Sequence, residues 1–185
     1  MALLTLAEAK AQLNITTSTH DVELQAYIDS TTAVIEQYVG PVENRAVTEV
    51  HDVSPRRVAT LVLRQAPAVS LTSVVAVLTG GTSYAVADLD LDGATGVVRR
   101  KDGGWLAGPL RITYTAGRGS VPATINLAAR ILIQHLWRTQ QGPGRPGLGG
   151  GDDYAVTEPV AGYGYAIPNR ALELLEAYRL PPGVA

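Results

Sequence analysis

The residues of this chain whose types and spacing could do chemistry fall into a few sets, and each set is incomplete. Asp88-Leu89-Asp90-Leu91-Asp92-Gly93 carries the alternate carboxylates and the turn glycine with which an EF-hand loop begins to wrap calcium. Such a loop ends on a bidentate Glu, and Arg99 stands at that position, between flanks that read as strands. These aspartates are expected to be solvated carboxylates on a strand edge, closed by a turn at Gly93 to Gly96. The 3 imidazoles, His20, His51 and His135, fall in different elements without a second ligand at helical spacing, so no metal site is expected. His51-Asp52 is a pair that can orient a general base, with Ser54 or Ser120 as the nucleophile to test, yet no G-x-S-x-G elbow is present. Gly80-Gly81-Thr82-Ser83 lacks the G-K-[ST] ending and following helix of a phosphate loop, and reads as a hairpin turn. The pairs Arg56-Arg57 and Arg99-Arg100 fit DNA phosphates, a solvated sheet edge or an inter-subunit ion pair. No catalytic residue, metal ligand or cofactor is assigned.

Bulk properties narrow the classes further. A chain of 185 residues suits one domain of ordinary size, which buries roughly 70% of its unfolded surface. Cysteine is absent, which removes disulfides, thiolate metal sites and Cys nucleophiles. A formal net charge of -2 leaves no basic excess to neutralise phosphates, so a protein that grips nucleic acid is not expected. No apolar run approaches the length of about 20 residues that spans a bilayer. The opening MALLTLAEAKAQL carries Glu8 and Lys10 where a signal peptide is uniformly apolar. The expectation is a soluble chain made in a cytoplasm, with no membrane partner.

The elements that must position these residues follow from periodicity and punctuation. Thr5 and Glu8 have the spacing of a capping box, opening a helix that runs to about Leu13 and stops at Asn14. Ser18-Thr19-His20-Asp21 offers a second cap, after which Leu24, Tyr27, Ile28, Thr31, Ile35 and Tyr38 mark one helical stripe ended by Gly40-Pro41. From about Ala46 to Thr115 the period changes to two, with strands predicted over 58–63, 72–78, 84–91, 97–99 and 110–115 in one antiparallel sheet. Helical spacing returns at Pro122 and persists to about Gln141, a rod of roughly 30 Å. The run GPGRPGLGGG then reads as a flexible tether, and a last helix fits Asn169 to Tyr178 before Pro181-Pro182. The class is α+β: about four helices, an inserted antiparallel sheet, and a Gly/Pro-rich loop before the C-terminal helix. The expected segments are helical 1–44, β-rich 45–117, a long helix in 118–141, a flexible loop 142–167, and a C-terminal helix and tail 168–185, all in one structural unit.

The long helix is apolar on more than one face. Ile125, Ala129, Leu132 and Leu136 share one side, Leu127 with Ile131 and Ile133 with Trp137 lie elsewhere, and Asn126, Arg130, Gln134 and Arg138 form the polar row. Ile133 and Trp137 beside Arg130 and Arg138 have the composition of an interface hot spot, with simple core as the alternative role for the Trp. Tyr154, Tyr163 and Tyr165, spaced by Gly and Pro, lack aliphatic neighbours and either order on a partner or form a plain loop.

LLTLAEAKAQLNITTSTHDVELQAYIDSTTAVIEQYVG, then PAVSLTSVVAV and GVVRRKDGGWLAGPLRITYTAG, then VPATINLAARILIQHLWRTQ, together resemble the head-tail connector (adaptor) proteins of long-tailed bacteriophages and related prophages. The resemblance spans essentially the whole chain. It implies a helical bundle, here with a β-rich insertion, assembled as a dodecameric ring beneath the portal in the neck of the virion. The ring would extend the DNA channel and offer a platform to the head-completion (stopper) protein and the tail. The implied partners are the portal protein, a head-completion or tail protein, further copies of the chain, and double-stranded DNA that passes without specific binding. On this basis Arg130, Ile133, Trp137, Arg138, Tyr154, Tyr163 and Tyr165 are candidates for subunit or portal contact, and residues 152–185 for docking on the portal. No residue is assigned to the channel wall. The alternatives are a stopper or tail-completion subunit of the same neck, a small hydrolase, and a sequence-specific DNA binder.

Overall fold

A computed structural model describes residues 2–53, 57–141 and 167–180. In chain order the elements are α1 (Leu6–Leu13), α2 (Asp21–Val39), β1 (Arg45–His51), β2 (Thr60–Val62), β3 (Ala68–Ala76), β4 (Leu89–Asp92), β5 (Val97–Arg100), β6 (Leu110–Ala116), α3 (Ala123–Gln141) and α4 (Asn169–Glu176). The fold is α+β, as the periodicity predicts, with four helices and two small antiparallel sheets among the described residues.

The helix ends are set by local chemistry. Thr5 Oγ1 accepts from the Glu8 amide at 3.3 Å while Glu8 Oε2 accepts from the Thr5 amide at 2.9 Å, so the predicted capping box closes in both directions. Asn14 ends α1 in the left-handed region at φ 55°. Gly40 ends α2 at φ 78°, and a Cβ there would stand 2.1 Å from the Ala66 carbonyl oxygen, so both the dihedral and the close approach require glycine.

The chain divides into two compact units, and the boundary near the N-terminus falls inside α2, between Ile35 and Glu36. The first unit, Glu36–Val121 with the stretch from Arg179 on, holds both sheets, in orders β1-β6-β3 and β2-β5-β4. Alternation along β6 turns Leu110, Ile112, Tyr114 and Ala116 inward, where they join Leu61, Val74, Leu89 and Val98 in one apolar core. The strands form two sheets rather than the single one expected. Gly103, at φ 73°, and Gly104 break the chain after β5, and Gly108-Pro109 precedes β6, so β5 pairs with β2 and β4 while β6 pairs with β1 and β3. Residues 84–91 are not one strand either. The Asp88 amide donates to the Ala85 carbonyl at 3.0 Å, closing a single 3-10 turn over Val86–Asp88 before β4 begins.

The second unit, Ala2–Ile35 with Pro122–Tyr178, is helical among its described residues. On α3 the residues Ile125, Ala128, Ala129, Leu132 and Ile133 are buried, and Ala171 and Leu175, four apart on α4, are buried as well. The polar row of α3 ties the unit together. Asn126 Nδ2 donates to the Leu3 carbonyl at 2.9 Å, Gln134 accepts from Gln12 at 3.1 Å, and the Thr124 and Tyr178 hydroxyls bond at 3.1 Å. The flexible loop expected over 142–167 lies, up to residue 166, outside the described residues.

Candidate functional site

The structure resolves most of the incomplete chemical sets into local structural roles. Asp92 Oδ1 accepts from the Ala94 amide at 3.1 Å and Oδ2 from the Thr95 hydroxyl at 2.7 Å, which closes the β4–β5 hairpin. These bonds hold the Asp92 carboxyl below the usual carboxylate range, the Thr95 hydroxyl contributing most. Asp90 pairs with Arg99 at 2.7 Å, and both side chains are exposed. The calcium-like run is therefore a hairpin. Among the described residues no three His, Cys, Asp or Glu side chains group to hold a metal ion. In the glycine run, Ser83 Oγ accepts from the Ala76 amide at 3.0 Å and the Tyr84 amide donates to the Val74 carbonyl at 3.0 Å, so the segment turns back along β3. Arg100 pairs with Asp102 and lies 5.6 Å from the Tyr84 ring centroid. Ser54 and Arg56 lie outside the described residues, and Arg57 and Ser120 are exposed.

His51 belongs to a polar network on β1 that sequence reasoning missed. Its Nε2 lies 2.7 Å from Glu49 Oε1, and the same carboxylate oxygen accepts from the Arg64 amide at 3.0 Å. The Tyr114 hydroxyl accepts from the Gln65 amide at 3.1 Å, and Arg45 donates to Gln65 Oε1 at 3.1 Å. Burial pushes the Tyr114 phenol up to about 12, and the Glu49 carboxylate adds to the shift. Residues 64 and 65 thereby bond Glu49 of β1 and Tyr114 of β6, and the Arg64 guanidinium donates to the Val50 carbonyl of β1. The one sequence signal was Glu49 itself, a carboxylate at an inward position of an alternating strand.

The α3 candidates separate by burial. Ile133 is fully buried and Trp137 is 8% exposed, its indole packed edge-on against His20 at 5.1 Å and Tyr27 at 6.4 Å. Both side chains are occupied inside their own chain. Arg130 donates to Glu8 Oε1 and to Asn126 Oδ1, each at 2.8 Å, which joins α1 to α3. Glu8 sits below the usual carboxylate range, held first by the Thr5 amide and hydroxyl and then by Arg130. Arg138 is exposed, as is Leu127. Tyr154, Tyr163 and Tyr165 lie outside the described residues.

A family model for head completion proteins matches residues 2–180. The chain belongs to the head completion protein family. Its fold is similar to a chain in the neck of an empty GTA particle computed with C6 symmetry, at a TM-score of 0.63 and 18% identity, covering 97% of this chain and 90% of that one. It is similar to the same degree to a chain in the neck of a native GTA particle computed with C12 symmetry, at a TM-score of 0.63 and 19% identity, covering 95% of this chain and 88% of that one. None of the curated proteins matches the sequence. At such identity the likeness to these neck chains shows a shared fold. As a head completion family member this chain is a structural protein of phage-type particles and not an enzyme.

Proposed function

We propose that this head completion protein is a ring-forming adaptor of the virion neck, seated beneath the portal and carrying the DNA channel toward the tail. The observation that carries this reading is the likeness, over nearly the whole length of both chains, to subunits of particle necks computed with C6 and C12 symmetry. The proposal includes dodecameric assembly, the portal above, and a head-completion or tail protein below, and that likeness and the sequence resemblance support it. The charge supports it independently. At a formal net charge of -2 the chain has no basic excess, which suits a conduit through which DNA must slide, because many fixed phosphate contacts would hold it.

On this reading Arg138 and the tyrosines Tyr154, Tyr163 and Tyr165 contact a neighbour or the portal directly, with residues 152–185 as the docking segment. Arg130, Ile133 and Trp137 act on that contact by fixing α3 from inside. Cryo-electron microscopy of purified particles, averaged on the neck, is the test. The expected result is twelve copies in one ring in direct contact with the portal. A ring one tier lower, separated from the portal by another protein, replaces the adaptor with a stopper. Absence of the chain from the neck overturns the proposal.

A further inference from the structure

Two exposed faces of this chain are nearly free of charge. The sheet β1-β6-β3 covers its core with one face, and its register defines the other. Val50, Arg111 and Val75 lie side by side across the three strands, followed by Thr48, Thr113 and Ser73 in the next outward row. Val50 and Val75 are 41% and 40% exposed, and Arg111 is the single charge in those rows, with no ion-pair partner among the described residues. The second face lies on α2. Its exposed positions include Val22, Ala26, Asp29, Ala33 and Val34, and Glu23 at the flank is paired with His20 and Tyr27. Asp29 touches only the neutral amide of Gln25, at 2.9 Å. A solvated helix face ordinarily carries several charges.

We propose that the α2 face of one copy packs on the β1-β6-β3 face of the next copy, with Asp29 set against Arg111. The proposal rests on the ring reading above and names its subunit contact. A closed ring needs two different, mutually complementary faces on each chain, and this chain offers one low-charge face with a lone acid and one with a lone base. A two-fold contact of the sheet face with itself would set Arg111 near Arg111. The footprints also match. Val22 to Val34 spans roughly 18 Å of helix, and the outward rows from Arg111 to Thr115 span roughly 13 Å along β6 with about 10 Å across the three strands.

The chain has no cysteine, so paired cysteines report this contact without background. Particles are made with the double variant Asp29→Cys/Arg111→Cys, mildly oxidised and run on a non-reducing gel. The expected result is a ladder from dimer to the full ring, because each copy links to two neighbours, while either single variant gives no ladder. As a second readout, Asp29→Lys and Arg111→Glu should each lower the recovery of assembled necks by about 10-fold, with the charge-swapped double variant within about 3-fold of the native chain. Native particles that show the ring while the double-cysteine chain gives no ladder and the swap gives no rescue overturn this contact and leave the ring standing. The same holds if cross-links from position 111 land on another neck protein. Native particles with no ring overturn the functional reading, and this inference with it.

Discussion

Replacing Trp137 by Ala separates a core residue from an interface residue. The indole is 8% exposed in the single chain and packs edge-on against His20 and Tyr27. A Trp side chain of this kind removes about 200 Å² from water, which at about 25 cal/mol per Å² is worth on the order of 4 to 5 kcal/mol. Large-to-small core replacements of aromatic residues cost about 3 to 5 kcal/mol, a range that includes the cavity left behind. The expected loss for the isolated full chain is therefore about 4 kcal/mol. Urea unfolding followed by helical circular dichroism measures it. Fluorescence of the native chain checks the burial itself, because the other Trp, Trp105, is 58% exposed, so a blue-shifted emission that disappears in Trp137→Ala is expected from a buried Trp137. A loss below about 1 kcal/mol in the isolated chain, combined with failure to enter the neck, would refute the reasoning. It would mean that the indole lies open in the monomer and awaits a neighbour.

Two further predictions concern pH. The lowered Glu8 carboxyl favours its ionised form in the folded chain, so its contribution is complete above the unfolded value near 4.5 and is lost as pH falls below it. The difference in unfolding free energy between the native chain and Glu8→Gln should be largest near neutrality and shrink below pH 4.5, and a difference that stays constant into acid would sink this assignment. Tyr114 behaves in the opposite sense. Its folded value of about 12 lies above the unfolded 10.0, so the buried neutral phenol stabilises fully below pH 10 and loses that contribution as pH rises toward 12. An alkaline absorbance titration should show one tyrosine of the 8 ionising last, and Tyr114→Phe should remove that late step while flattening the alkaline limb of the stability curve.

Much of the secondary structure was legible because its signals are local. Thr5 with Glu8, Asn14, Gly40 and Pro122 act through hydrogen bonds, a left-handed dihedral and a fixed φ within one turn of the chain, and the helices begin and end where those residues stand. Strand pairing was not legible. The residues of β5 and β6 alternate equally well, and the choice of partner depends on chain reversal at Gly103 and at Gly108-Pro109 and on which inward side chains share a core. For the same reason the polar network of Glu49, His51, Arg64 and Tyr114 was invisible, since its members come from segments up to 65 residues apart and meet only across a sheet edge. The α3 helix illustrates the converse. A wheel shows that Ile133 and Trp137 are apolar, but whether that apolar side faces its own chain or a neighbour depends on where α1 and the start of α2 pack, and His20 and Tyr27 occupy it.

With Ile133 and Trp137 of α3 occupied internally, the two faces proposed for the ring contact are composed of small residues and isolated charges. Faces of valine, alanine and threonine bury little area each, so a single pair of copies is held weakly. In the proposed ring this weakness is consistent with ordered assembly. A copy inside a closed ring makes two contacts at once, so its removal breaks both, whereas a stray pair in solution breaks only one. Large aromatic anchors on these two faces would hold pairs together before any portal was present to set the rotation between neighbours, and open chains would compete with the closed ring. A monomer whose Trp137 and Ile133 are already covered avoids that competition. It also predicts that closure, rather than any one contact, supplies the stability of the neck, so an Arg111 substitution should affect ring formation far more than it affects the folding of the chain.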